Sequence, residues 1–496
     1  MLMSGVELGG ANVRRHQAIH VSEYFNLDRK QPALDFVDVD VAGDTRLFLD
    51  PRALRLVQSP WTNECVALLQ DFFHAVLQLL KEGSIERAYR LTVELREPNE
   101  THLGLSKGRP RGRALGPLLA RDLVEALSQS AAARSGLIAD LEDTALLVPG
   151  VSTDIISDIA TNIVRQPLID YTQHACEMYG IPKEAGIVTG PRWNHRQREW
   201  HEGYAELPYA EGNHLLLVPK AVVRRRLDYD SGEYYRLYIL KHLEDKELSA
   251  NSELVRTLKS GHRYVTRRDL EKKYGSGKPL IIQQTLENPE LLDNYKSHKK
   301  NFPNRPLNHV LLGKVTDTAQ PDWQVLLADV TSITPGTEGA TAYHRAVEKL
   351  LSALFYPSLS FPQIEAPLHE GRKRVDITYT NLAETGFFRY LAQHYPCPNI
   401  FVECKNYSAD PGNPELDQLS GRFSPSRGQV GILICRNIKD RDAFTARCRD
   451  TANDQRGFII ALDDRDLKTL VESALVGDSI RAQFEILKQK FNDLVM

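Results

Sequence analysis

Ile400-Phe401-Val402-Glu403-Cys404-Lys405 is the stretch on which the reading of this chain turns. It has the composition of a buried β-strand interrupted by one carboxylate and one ammonium. Side chains alternate along a strand, so Glu403 and Lys405 share one face while Val402 and Cys404 share the other. Two explanations compete for such a pair. One is an ordinary salt bridge on the solvent face of an edge strand, worth about 0–1 kcal/mol. The other is a pair of reactive groups that chemistry requires side by side.

The flanking sequence weighs between them. After the break Thr334-Pro335-Gly336-Thr337, Thr341 to Phe355 places Ala346, Val347, Leu350, Leu351 and Leu354 at helical spacing, with Glu348 on the same helix. Arg374-Val375-Asp376-Ile377-Thr378-Tyr379 alternates as a strand, and the Glu403-x-Lys405 strand follows. Val430 to Cys435 is a third strand, a charged helix runs from about Asp440 to Asn453, and Gly457 to Leu462 is a last strand. The order is helix, strand, strand, strand, helix, strand.

Glu348 on the helix, Asp376 in GRKRVDITY and Glu403 with Lys405 in VECK, taken in that order, resemble the motifs of the PD-(D/E)XK superfamily, the fold of many restriction endonucleases. The resemblance covers roughly the last third of the chain. It implies a restriction endonuclease-like αβββαβ core that hydrolyses the phosphodiester bonds of DNA with Mg²⁺, for which Mn²⁺ substitutes. Asp376 and Glu403 would be the principal metal ligands, the Cys404 carbonyl a further oxygen, and Glu348 a ligand at the edge. Lys405 would orient or deprotonate the attacking water. Gln418, on Leu416 to Phe423, resembles the glutamine that several branches carry in the following helix. Such residue types suit the reaction, which needs hydroxide near neutral pH and compensation of the charge developing on phosphorus.

Asp376 and Glu403 are farther apart in sequence than a hairpin requires. The insertion 381–399 looks helical around Ala383 to His394 and is placed to cover the site or touch substrate. If the Asp376 strand is misread, Glu384 or Asp410 would be the replacement carboxylate.

The rest of the chain is less explicit. Its 496 residues exceed one ordinary core, and a 42% hydrophobic, 26% charged composition is that of a folded protein. We expect an α/β multidomain protein: a mixed α/β N-terminal domain over 1–150, a largely helical basic region over 151–335, and the nuclease-like domain over 336–496. Six scattered cysteines without a CxxC pair read as reduced, buried thiols. Without a signal peptide or a bilayer-length apolar run, the expected location is cytoplasmic.

In the first region, Ala33 to Val41, Leu47 to Leu49 and Arg90 to Leu95 read as strands, and Trp61 to Lys81 as a helix. Ile155 to Met178 reads as one long helix capped by Ser152-Thr153-Asp154, and Val325 to Val330 as a short strand. The loop Gly104 to Arg113 is glycine-rich and basic, lacks the P-loop spacing, and is a candidate contact for a nucleic-acid backbone as well as a plain solvated loop. Thr189 to Leu217 clusters Trp193, His195, Trp200, His201 and His214, residues that stack bases or bind metals elsewhere. Between Lys220 and Lys314 there are 20 Lys plus Arg against 12 Asp plus Glu, in a chain whose net charge is −3, which makes this region the candidate track for a phosphate backbone.

By analogy, a nuclease domain joined to a large accessory part suits a defence or restriction effector acting on phage or plasmid DNA, restrained until a trigger ligand or partner protein appears. Cutting both strands of a duplex suits a homodimer or higher homo-oligomer. Two other readings stay open: a nucleic-acid-binding or scaffolding protein that kept the fold without catalysis, and an RNase.

Overall fold

The computed structural model describes residues 18–104, 117–368, 373–477 and 479–496. The basic loop singled out at Gly104 to Arg113 lies, beyond Gly104, outside the described residues. The architecture is mixed α/β, and its apolar side chains form two large clusters, one running from Val21 to Leu312 and one from Leu326 to Leu494. The first cluster passes without a break through the expected boundary at 150. Among the described residues no helix is long and apolar enough to cross a membrane, and all six cysteines are free and buried.

In the first cluster, helix α1 (Pro60–Lys81) starts where predicted, at a reciprocal Ser59–Thr62 capping box with proline in the first turn. Its buried face is Cys65, Leu68, Leu69, Phe72, Phe73 and Val76, each large side chain contributing about 1.5–3 kcal/mol by burial. The expected long helix is instead two, α2 (Thr153–Ile163) and α3 (Arg165–Tyr179). Pro167 is the reason: it has no N–H for the Ile163 carbonyl, and the helix breaks at Val164.

Two expected strands are helical in whole or in part. The first half of Arg90 to Leu95 is the end of the helix Ile85–Thr92 and the rest a turn, and Val325 to Val330 lies in Trp323–Thr331, which the Asp322 side chain caps by accepting the Val325 N–H. Short apolar runs do not declare their period. Phe48–Leu49 does pair, antiparallel, with Val223–Arg224. Ala33 to Val41 begins in a 3-10 turn and forms only isolated bridges, one of them to Pro219, which cannot donate to a ladder.

The second cluster surrounds one sheet. Helix α4 (Ala340–Leu354) leads into β1 (Leu359–Leu368) and β2 (Lys373–Asn381), then α5 (Gly386–His394), β3 (Asn399–Lys405), α6 (Asn413–Ser420), β4 (Val430–Cys435), α7 (Arg441–Asn453) and β5 (Phe458–Leu462). Strand order is β1-β2-β3-β4-β5. The first three strands are antiparallel, and β3, β4 and β5 are parallel, joined by the crossovers that α6 and α7 provide. Helices α8 (Asp464–Leu475) and α9 (Ser479–Val495) close the chain.

Strand β1 was not visible in the sequence because Pro362 and Pro367 interrupt it and its pairing slips between Ser360 and Gln363. At a sheet edge both are tolerated. Expectation and structure also differ at α5. Phe388 packs on Phe355, and Phe387 on Phe491 of α9, so the insertion is part of the core. It joins the ends of β2 and β3 opposite to Asp376, about 17 Å away along the strand at ~3.3 Å per residue. It therefore covers the far end of the sheet.

Candidate active site

Alternation and register fix which side chains meet. Ile377 pairs with Val402 and Tyr379 with Ile400, and these side chains face α4, where the Tyr379 hydroxyl meets Ser352 at 3.0 Å. The opposite face carries Asp376 on β2 and Phe401, Glu403 and Lys405 on β3. One step past Ile377–Val402, Asp376 stands across from Glu403. The backbone ladder between these strands ends at that step, and the Asp376 carboxylate accepts the Cys404 N–H at 2.8 Å. The strands separate where the two carboxylates meet.

Glu403 is fully buried. Its Oε1 accepts the Lys405 ammonium at 2.9 Å and the Gln418 side-chain amide, while Lys405 also donates to Gln418 Oε1 at 3.0 Å. Three side chains close a ring. Helix α6 reaches this position because β4 carries glycine at 431, where a Cβ would stand 2.9 Å from Phe423 and 3.1 Å from Leu419. The missing side chain lets Leu419 and Phe423 lie directly on the strand, which seats Gln418 over Glu403.

The other oxygen, Glu403 Oε2, is buried and has no partner. Such an orphan costs about 1–3 kcal/mol, and a bound cation is one thing that would satisfy it. Burial pushes the Glu403 carboxyl above its ordinary pKa, Asp376 adds to that, and Lys405 opposes it. Among the described residues no group of three or more His, Cys, Asp and Glu side chains is arranged to hold a metal. Two carboxylates are nevertheless a suitable donor set for Mg²⁺, which keeps several of its waters and takes one or two protein carboxylates. Asp376, Glu403 Oε2 and the Cys404 carbonyl fit that ion.

Glu348 is elsewhere. Its Oε2 lies 2.5 Å from Arg29 Nη1 and its Oε1 accepts the Ser352 hydroxyl at 2.7 Å, with the side chain wholly buried. The residue of α4 that approaches the site is His344, one turn earlier, whose Nε2 is 3.6 Å from Asp376 Oδ2. Sequence reasoning missed it, although its position four residues before Glu348 was a usable signal. The same holds for Glu365, which the β1–β2 register sets across from Asp376 on the other side. Arg422, just after α6, was also missed; it lowers the Glu403 pKa through its charge, and its Nε is buried without a partner.

The two replacement carboxylates are engaged with other partners. Asp410 accepts the Lys439 N–H at 3.1 Å, and Glu384 feels the charges of Arg224, Arg305 and Arg389. The two tryptophans of the Trp and His cluster, Trp193 and Trp200, are structural, packing on Phe72 with their indole N–H groups given to Asp71 and the Leu91 carbonyl, while His195 and His201 are exposed. In the basic middle region Arg256, Arg267, Lys273, Lys296 and Lys299 are engaged with Asp269, Glu271, Glu247, Asp143 and Glu233. These five cations are already compensated.

A family model described as a domain of unknown function (DUF8370) matches residues 26–230. No curated protein and no solved structure matches the chain. The matched segment lies within the first apolar cluster and contributes Arg29, which reaches Glu348 of α4. The carboxylate pair and its ring of partners lie wholly outside it.

Proposed function

We propose that the C-terminal sheet carries a metal-dependent nuclease centre of the PD-(D/E)XK kind, acting on the phosphodiester bonds of DNA. The observation that carries this reading is the conjunction of Asp376 across from Glu403, an orphaned Glu403 Oε2, and Lys405 held by both Glu403 and Gln418. A surface salt bridge would have left Glu403 in water, and it is buried.

Asp376, Glu403 and the Cys404 carbonyl would hold Mg²⁺ or Mn²⁺. When bound, the ion supplies an acidified water and neutralises charge on the phosphate. Lys405 orients the attacking water and stabilises the charge that develops on the phosphoryl oxygens. Gln418 fixes the Lys405 ammonium, and through the second bond to Glu403 it also fixes the carboxylate rotamer. His344 holds Asp376 from the α4 side, and Arg422 adds positive charge beside Glu403. Double-strand cutting calls for two such centres related by a two-fold axis, so the acting species is a homodimer or higher homo-oligomer. The N-terminal region would bind or regulate, and defence against phage or plasmid DNA is the setting this arrangement suits.

The test is direct. Purified full-length protein with Mg²⁺ or Mn²⁺ should nick or linearise plasmid DNA, and Glu403→Gln and Lys405→Ala should each abolish cleavage while the circular dichroism spectrum stays that of the parent. Equal cleavage by all three proteins would refute the site. Matched RNA run in parallel decides the substrate.

A further inference from the structure

A cavity lies between the first apolar cluster and the first two strands of the sheet, and it is built unlike the carboxylate pair. About 260 Å³ in volume, it is walled by Trp61 of α1, Tyr171 of α3 and Phe361 of β1, with Asp35, Asp170 and His174 among its lining residues. The three rings form a mutual cluster, with centroids 5.9 Å apart for Trp61–Tyr171, 5.8 Å for Trp61–Phe361 and 6.1 Å for Tyr171–Phe361.

Phe361 is held there at a conformational cost. Its φ is +52°, in the left-handed region that bulky residues avoid, and it sits in the slip of the β1–β2 pairing. The buried Asp35 carboxylate maintains this turn, accepting the Phe361 N–H at 3.0 Å through one oxygen and the Tyr171 hydroxyl at 2.9 Å through the other. Strand, helix and carboxylate are thus tied together around an aromatic wall with space beside it.

Charge narrows the occupant. The lining includes the carboxylates of Asp35 and Asp170 and has no lysine or arginine. Phosphates and carboxylates are disfavoured by that surface. Aromatic faces attract cations and planar rings, and acidic groups at the same wall add to the first of these. The volume is slightly below the ~300–1,000 Å³ of pockets that take drug-sized molecules, so the occupant is small.

We propose that this cavity is a binding site for a small organic cation carrying one aromatic ring. The ring stacks on Trp61, Tyr171 and Phe361, and the ammonium lies toward Asp170 at the exposed rim. Such a ligand touches the first cluster and the sheet at once, since Trp61 and Tyr171 come from helices of the first cluster while Phe361 and Thr380 come from strands of the sheet. The proposal does not depend on the nuclease reading, and its test uses binding alone.

The probes are benzylamine, benzyl alcohol and benzoate, three molecules of one size that differ in charge, titrated calorimetrically into the full chain. Benzylamine should bind saturably and about tenfold more tightly than benzyl alcohol, with no saturable heat from benzoate. Asp170→Asn, an exposed substitution that leaves the fold intact, should remove the preference for benzylamine over benzyl alcohol. Trp61→Phe should weaken both, and the fluorescence change on binding should disappear with that indole. No saturable binding of benzylamine, benzoate binding as well as benzylamine, or an affinity unchanged in both variants would each overturn the proposal.

Discussion

Arg29 and Glu348 form a buried ion pair, 2.5 Å between Nη1 and Oε2, that joins the N-terminal part of the first cluster to the helix covering the five-stranded sheet. The helix glutamate that motif order assigns to the metal is therefore committed to holding the N-terminal region against α4. Lys349, its neighbour, makes a parallel contact to Asp28 at 3.2 Å.

Removing Glu348 should cost stability rather than chemistry. Glu348→Ala leaves the buried Arg29 uncompensated, and a loss of about 3–5 kcal/mol is expected in denaturant unfolding. The metal concentration giving half-maximal cleavage by the folded protein should be unchanged. A large rise in that concentration with unaltered stability would return Glu348 to the metal.

Gln418→Ala should keep the fold and lower the cleavage rate by about 10–100-fold, the usual scale for partners that orient a metal-site ligand. Gln418→Glu should do the same or worse, since it removes the amide donor to Glu403 and adds a charge beside it. Single-turnover cleavage rates measure both.

Mg²⁺ should raise the melting temperature of the parent protein in a concentration-dependent way, because an ion that binds only the folded state stabilises it by mass action. Glu403→Gln should show no such rise. Differential scanning fluorimetry checks this without any nucleic acid present.

His309 sets an acid limit. Its Nε2 meets the Ala353 carbonyl of α4 at 2.8 Å, its ring lies against Trp323 and Tyr356, and burial followed by the Lys220 charge lowers its pKa from 6.5 to about 4. The ring stays neutral in the fold while the unfolded chain takes up a proton below pH 6.5. Its stabilising contribution is complete above that pH and is lost as pH falls toward 4. Unfolding free energies between these limits should fall by about 3 kcal/mol more in the parent than in His309→Gln.

The elements read correctly from sequence are those whose pattern is local and unbroken: the helices α1 and α4 and the strands β2, β3, β4 and β5. Misreadings fall where a local signal was ambiguous or absent. Trp323–Thr331 is a short apolar run that suits either period, Pro167 was overlooked within a helical pattern, and β1 carries two prolines and a slipped register. In the site, Asp376, Glu403, Lys405 and Gln418 were all named from the chain and are brought together, whereas His344, Glu365 and Arg422 were not. Their closeness depends on helix phase and strand register.

By itself, then, the sequence determined that a carboxylate and an ammonium share a strand face, because alternation is a property of the backbone. Whether that face looks into water or into the protein is decided by what packs over it. Gly431 admits α6, α6 brings Gln418, and together they bury Glu403 with one oxygen unsatisfied. Likewise, nothing in the order of motifs distinguishes a glutamate bound for a metal from one bound for Arg29, more than three hundred residues away. Only the packing of the two clusters, which sets the rotation of α4 between them, separates His344 from Glu348.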